Sequence, residues 1–373
     1  MARSRAEVAA DIDDARAAAF NKFLVEKSKE LDGGLYTMAD ERSLTFDVSV
    51  IPTGVISVDV ALGCGGFPKG MITELYGNEG GGKSTLALTA AAECTKQGGP
   101  VLWVDSEGAF VPAYAKRVGV VPRLFVPRQP QHGEEATNLV EAAILSGGFD
   151  MIVIDSVAAL WPREMIEGDI DSKQPGRHAK FISNFLARIV GSLARSNVTM
   201  VLINQLRMDP NAYGNPEKTT GGRAIKFYSS VRIDVRSSSS KKLVVDGRAI
   251  GQEVAVKVAK NRCGPPYREA SFNLIFGRGI DTLSSVMDAA VQAGVLEHPK
   301  GSQTYKEVAT GVLLTGGKDK VKAKIAEDND LRERLVRSVY EAIAGQSSEL
   351  PPSGSVNDEE EPVDEFGEFA AEM

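Results

Sequence analysis

Gly80, Gly81 and Gly82 run straight into Lys83 and Ser84, and Gly77 stands five positions before Gly82, the spacing G-x-x-x-x-G-K-[ST]. Glycines there let the chain turn tightly enough for its backbone N–H groups to converge on phosphate oxygens, and a helix that follows adds its N-terminal partial charge. The chemistry is nucleotide binding. Lys83 would neutralise the β- and γ-phosphates of ATP, the Ser84 hydroxyl would ligate Mg²⁺, and Asn78, Glu79 and Thr85 complete the loop. A metal-bound nucleotide also needs a carboxylate at the end of a core strand, and Asp155 closes the apolar run MIVID as the second metal ligand. Another run, VLWVDSE, ends in Asp105 and Glu107. A carboxylate beside the terminal phosphate can orient or deprotonate the attacking water, and spacing by itself divides that role evenly between these two.

The elements that must hold these residues are legible in the same stretches. Residues 71–76 read as the strand before the glycine loop and residues 85–94 as the helix after it. Short apolar runs at 100–105, 124–127, 151–156, 199–204, 229–236 and 252–261 alternate with helical patterns, clearest at 134–147 and 177–196. Unbroken apolarity at 151–154 and 200–203 predicts central strands covered on both faces, so the fold class is α/β with a mostly parallel sheet. Residues 237–250 predict an antiparallel hairpin turning at Asp246-Gly247. A helical pattern over 5–31, with Val8, Ile12, Ala15, Ala19 and Phe23 on one face, precedes the compact region.

Composition sets limits on partners and compartment. The chain of 373 residues carries 43 bases and 50 acids. Eight of those acids, with no base, fall in the terminal stretch DEEEPVDEFGEFAAEM, leaving 43 bases against 42 acids elsewhere. An acidic total therefore does not exclude a polyanionic partner, because the excess sits in a tail expected to be disordered. Cys64, Cys94 and Cys263 match no metal-ligand spacing and read as small buried residues in a reducing compartment. No 18-residue apolar run occurs, so a soluble, cytoplasmic protein without a membrane partner is expected.

Several longer stretches, in order and spacing, are similar to the RecA family of bacterial and phage recombinases over residues 15–345: TGVISVDVALGCGGFPKGMITELYG, VDSEGAFVPAYAKRVGV, DMIVIDSVAAL, IEGDID, VLINQLRM, GNPEKTTGGRAIKFYSSVRIDVR and KNRCGPPYREASFNLIFGRGID. The resemblance implies a RecA-like ATPase core at 49–279, an N-terminal helix and linker for subunit packing at 1–48, a small α/β C-terminal domain at 280–345 and an acidic tail at 346–373. It assigns water activation to Glu107 with Asp105 in support, sensing of the γ-phosphate to Gln205, and stacking on adenine to Tyr114. Phe276 lines the same base site where the family often has tyrosine, and Val111 stands where it commonly has an aspartate. Lys260 and Arg262 resemble the cationic pair, usually two lysines, that reaches the nucleotide of the adjacent protomer, and Phe227 resembles an intersubunit contact.

Two stretches, 165–176 and 206–222, lack strong secondary-structure signals and resemble the family's two DNA-binding loops. Arg177 flanks the first, with Pro175 where an apolar wedge often stands. Arg207, Lys218, Gly221, Gly222, Arg223 and Lys226 belong to the second, which is about one residue short of the usual pattern. Apolar side chains, amides, glycines and a few bases suit phosphate contact and insertion beside bases, and neither stretch offers a helix for major-groove readout. The resemblance implies an ATP-dependent recombinase with ATP and Mg²⁺ as cofactors, filamentous on single-stranded DNA and pairing it with a homologous duplex. It brings a DNA-damage (SOS) role into view and leaves a self-cleaving repressor open as a further partner. A second reading keeps the DNA-stimulated ATPase fold but makes the chain a repair accessory or regulator without strand exchange.

Overall fold

The computed structural model describes residues 5–30, 49–167, 175–208, 217–299 and 301–348. The acidic tail and the central parts of both suspected DNA loops, 168–174 and 209–216, lie outside the described residues. The chain divides into two compact units, residues 1–49 and 50–373. In the first, helix α1 (Arg5–Glu30) exposes Phe20, Phe23 and Val25.

The second unit opens with β1 (Val50–Ile51), α2 (Ile56–Leu62) and β2 (Phe67–Pro68), then alternates strand and helix: β3 (Ile72–Gly77), α3 (Lys83–Lys96), β4 (Val101–Asp105), α4 (Pro112–Val118), β5 (Phe125–Arg128), α5 (Gly133–Ser146), β6 (Met151–Asp155), α6 (Arg163–Glu167), α7 (Pro175–Ala194) and β7 (Thr199–Met208). After these come β8 (Glu217–Thr219), α8 (Ala224–Tyr228), β9 (Val231–Val245), β10 (Arg248–Asn261), β11 (Glu269–Ile275) and β12 (Gly279–Ile280). The central sheet runs β12-β11-β10-β9-β3-β7-β6-β4-β5. From β9 to β5 every neighbouring pair is parallel, and β10, β11 and β12 extend the sheet antiparallel.

The unbroken apolar runs are explained by two cores, one on each face. Met151, Val153, Val201 and Ile203 pack with α3 residues such as Leu86 and Ala90. The alternate residues Ile152, Ile154, Met200 and Leu202 pack with α5 and α7 through Val140, Ile182, Leu186 and Ile189. A strand covered on both faces needs apolar side chains at every position. The hairpin of β9 and β10 turns at Asp246 and Gly247, whose φ values of 50° and 76° are both positive, as a two-residue hairpin turn of this hand requires.

A third core lies under the C-terminal elements α9 (Thr282–Gln292), β13 (Leu296–Glu297), β14 (Thr304–Glu307), β15 (Leu313–Thr315), α10 (Gly317–Glu327) and α11 (Asn329–Ser348). Ile56 and Val60 of α2 join it, while Val58 and Leu62 of the same helix face the first core, so one short helix is shared by both. Its Asp59 is fully buried and accepts bonds from Thr53 N, Thr53 Oγ1 and Tyr340 Oη of α11.

Three expectations need correction. The stretch 206–222 is not a loop throughout: β7 runs on to Met208 and β8 pairs back on it, so Arg207 and Lys218 stand opposite each other in an antiparallel ribbon. That ribbon was hidden because its polar side chains show no apolar alternation. The described ends of 165–176 are helical, in α6 and the first turns of α7, with Pro175 starting the helix where its missing N–H costs nothing. Of the cysteines only Cys94 is buried. Cys64 and Cys263 are half-buried, and burial pushes the Cys64 and Cys94 thiols up to about 12.

Candidate active site

Strand register lines up the chemistry. Gly77 pairs with Gln205, Ile203 with Asp155 and Asp155 with Asp105, so four strands present their carboxyl ends in one row. Crevices beyond that edge are where ligands bind in open α/β sheets. The phosphate loop springs from the row at Gly77, which takes a φ of 152° and lies so close to β9 that a Cβ would fall 2.0 Å from the Val235 carbonyl oxygen. Only glycine fits that approach. The loop closes at Gly82 (φ 93°), and no side chain caps α3, so the first N–H groups of the helix remain for an anion.

Lys83 is buried, and its Nζ donates to the carbonyl oxygens of Gly77 (3.1 Å) and Asn78 (2.7 Å). Burial lowers its pKa, while Asp155, Glu107, Glu79 and Asp234 pull the other way. Ser84 hydrogen-bonds Asp155, whose carboxyl burial raises to about 6, with Glu107 and Asp105 adding to the rise and Ser84 and Lys83 opposing it. Four carboxylates thus act on one ammonium, and two hard oxygen donors, Ser84 and Asp155, sit side by side. This donor set fits a divalent cation bound largely through phosphate and water, the habit of Mg²⁺. Among the described residues no group of three His, Cys, Asp or Glu could hold a metal by itself.

The two acids at the end of β4 have separate surroundings. Asp105 is buried, its Oδ1 accepting from Gly108 N (2.9 Å) and Ala109 N (3.1 Å) and its Oδ2 from Phe110 N (3.0 Å). It braces the loop from within. Glu107 is exposed on that loop and accepts from the Ser156 hydroxyl and from Gln205 Nε2 at 2.8 Å. The structure therefore brings Lys83, Ser84, Asp155, Glu107 and Gln205 together and withdraws Asp105 from the crevice.

Tyr114 on α4 reaches Thr85 Oγ1 at 3.2 Å. Phe276 is half exposed in the turn between β11 and β12, and Arg117 of α4 joins that turn by donating to the Gly277 carbonyl at 2.6 Å, so Tyr114 and Phe276 belong to tethered segments. Val111, exposed, caps α4 through its carbonyl.

Lys260 and Arg262 lie elsewhere. Lys260 Nζ donates to the carbonyls of Lys226 (2.7 Å) and Phe227 (3.5 Å), gathering Lys226, Phe227 and Lys260 at the α8 edge, with Phe227 70% exposed. Arg262 is exposed beside them, its N bonded to the Ser230 carbonyl. Of the residues expected to meet DNA, Arg177 pairs with Glu164 (2.9 Å), while Arg207, Lys218, Arg223 and Lys226 are exposed. Gly221 and Gly222, both at positive φ, pass against Ile182 and Ala179, which brings the stem of the second loop onto α7, the helix following the first.

The RecA N-terminal domain family model matches residues 19–281. The RecA protein of Francisella tularensis subsp. tularensis strain WY96-3418 is 39% identical over 344 residues, covering 90% of this chain and 94% of that protein. The chain belongs to the RecA family. A second relative, from F. tularensis subsp. novicida strain U112, is 40% identical over 326 residues, 87% of this chain and 89% of its own length. RecA family membership makes the chain a recombinase-family protein with nucleotide binding and a DNA-dependent ATPase in general terms. No helix among the described residues is long and apolar enough to cross a membrane.

Sequence reasoning missed Asn204, Thr220, Glu74 and Arg232. Asn204 Nδ2 donates to Glu74 Oε1 (2.8 Å) and to the Thr220 carbonyl (3.0 Å), and Arg232 Nε donates to Glu74 Oε2. A usable signal existed: an acid inside the strand MITELYG has no place in a central strand unless it is partnered.

Proposed function

We propose that this chain is an ATP-dependent DNA recombinase that forms a helical filament on single-stranded DNA and catalyses homologous pairing and strand exchange. The observation that carries the reading is the hydrogen bond from Gln205 to Glu107. It joins the carboxylate best placed to activate water to the first residues of the stem of a DNA loop. On binding ATP, Lys83 exchanges the Gly77 and Asn78 carbonyls for β- and γ-phosphate oxygens. Gln205 turns its amide N–H from Glu107 to the terminal phosphate, which frees Glu107 to take the proton of the attacking water as ADP and phosphate form. Mg²⁺, held by Ser84 and Asp155, would neutralise phosphate charge when bound. Losing that phosphate returns Gln205 to Glu107, a two-state element that the ribbon of β7 and β8 carries to DNA.

In the same reading, Lys260, Arg262 and Phe227 at the α8 edge complete the nucleotide site of a neighbouring protomer, so hydrolysis depends on assembly. Residues 1–48 pack subunits, and residues 280–345 form an accessory domain. Tyr114 and Phe276 flank the base, and Arg177, Arg207, Lys218, Gly221, Gly222, Arg223 and Lys226 face the strand. The test is exchange between circular single-stranded DNA and a homologous linear duplex with ATP and Mg²⁺. Joint molecules are expected. Stimulated ATP hydrolysis without joint molecules would instead make the chain a repair accessory.

A further inference from the structure

Glu74 lies in the middle of β3, in the central sheet, and its side chain is wholly buried. Its two oxygens are committed in opposite directions. Oε1 accepts from Asn204 on β7, and Oε2 accepts from Arg232 on β9, its register partner. The guanidinium of Arg232 also lies 4.6 Å from the centre of the Tyr76 ring, which leaves it little freedom to seek another anion.

On the β7 side, Asn204 ties both strands of the loop stem. Its Oδ1 accepts from Gln205 N (2.9 Å), its Nδ2 donates to the Thr220 carbonyl, and Thr220 N donates to the Gln205 carbonyl (3.2 Å). On the β9 side, Arg232 pairs across the ladder with Lys260, whose ammonium holds the last turn of α8 and the exposed Phe227. A continuous set of bonds and strand pairings therefore runs from the amide facing Glu107 to the cationic edge, with Glu74 at its centre.

A buried ion pair is weak evidence of stabilisation, since well-packed apolar side chains in its place are often neutral or better. What it does provide is geometry: a carboxylate held by one donor on each of two neighbouring strands sets their relative position and resists intermediate placements.

We propose that Glu74 is a positioning residue that couples the nucleotide state read by Gln205 to the edge formed by Lys260 and Phe227, so that the DNA-loop stem and the subunit edge respond together. This rests on the ATP-driven, DNA-stimulated reading above.

The experiment measures ATP hydrolysis with and without single-stranded DNA, and KM for ATP, in wild type, Glu74→Gln, the double variant Glu74→Gln/Arg232→Gln, and Asn204→Ala. The single Gln change turns an NH₂ group on Arg232 and leaves its charge unpaired, so it lowers the melting temperature. The double variant removes that charge and restores much of the stability. Asn204→Ala cuts the tie to the stem and leaves the ion pair intact. Expected in the double variant and in Asn204→Ala is a basal rate and ATP KM close to wild type, with stimulation by DNA reduced about tenfold, inside the ordinary range of coupling energies. Wild-type stimulation in either of these variants overturns the inference, and so does a rise in ATP KM that accounts for the lost rate, because Glu74 would then serve nucleotide binding itself. Absence of stimulation in the wild-type protein refutes the underlying reading instead.

Discussion

Asp105→Asn separates a bracing carboxylate from a reacting one. In the folded chain Oδ1 holds Gly108 N and Ala109 N, and Oδ2 holds Phe110 N. An asparagine whose amide oxygen keeps the first two bonds directs its NH₂ group at Phe110 N, donor against donor. The charge-assisted bond at Oδ2 is lost outright, and the other two weaken from charged to neutral. A hydrogen bond to a charged group contributes about 1.5–3 kcal/mol. Asp105 is only 7% exposed, so water does not replace the missing acceptor. The loss comes to about 2–4 kcal/mol. For a unit of this size, residues 50–373, that lowers the melting temperature by about 3–6 °C.

Because the braced loop carries Glu107, part of this loss also appears in the rate. Displacing the carboxylate by a fraction of an ångström reduces turnover about tenfold for each 1.4 kcal/mol of lost positioning. ATP affinity, which depends on Lys83 and the glycine loop, stays near wild type. Thermal unfolding, binding of a fluorescent ATP analogue and steady-state hydrolysis together read the three quantities. Asp105→Asn with an unchanged melting temperature and abolished turnover would make Asp105 the reacting acid and refute the assignment.

Glu107→Gln should give the opposite profile: unchanged melting temperature and ATP binding, with hydrolysis about 10²–10⁴-fold slower, the usual contribution of a general base. Lys83→Ala removes the buried ammonium that would meet the phosphates, and equilibrium binding should show ATP affinity lost while circular dichroism shows the fold retained. Asp59 supplies a pH test. Burial outweighs the Thr53 and Tyr340 bonds and pushes its carboxyl from 3.8 to about 7, so at intermediate pH the folded chain holds a proton that the unfolded chain has released. The stability from that proton is full below pH 4, declines as pH rises to 7, and is constant above it, a total on the order of 4 kcal/mol. Melting curves across pH 4–8 should show this decline in wild type and a smaller one in Asp59→Asn that ends near pH 6, where the raised carboxyl of Asp155 has also released its proton.

The local pattern of the chain was enough to point to the phosphate loop, the strands buried on both faces, the Asp246-Gly247 hairpin and the candidates Lys83, Ser84 and Asp155, while Gln205 and the choice of Glu107 over Asp105 came from the resemblance to the RecA family. Each local reading depends on neighbours within a few residues: glycines where φ must be positive or backbones must touch, and unbroken apolarity where a strand is covered on both sides. Tertiary structure decided which of two acids at one strand end faces the crevice, because that turns on which carboxylate the returning backbone N–H groups occupy. It also decided that Lys260 lies at the α8 edge, that the second loop stands on a β-ribbon, and that Glu74 ties Asn204 to Arg232. Glu74 and Arg232 are 158 positions apart, and Glu107 and Gln205 are 98 apart. Such pairs meet only after the order and register of parallel strands are set by burial of both sheet faces, a property of the whole chain that no short window of sequence contains.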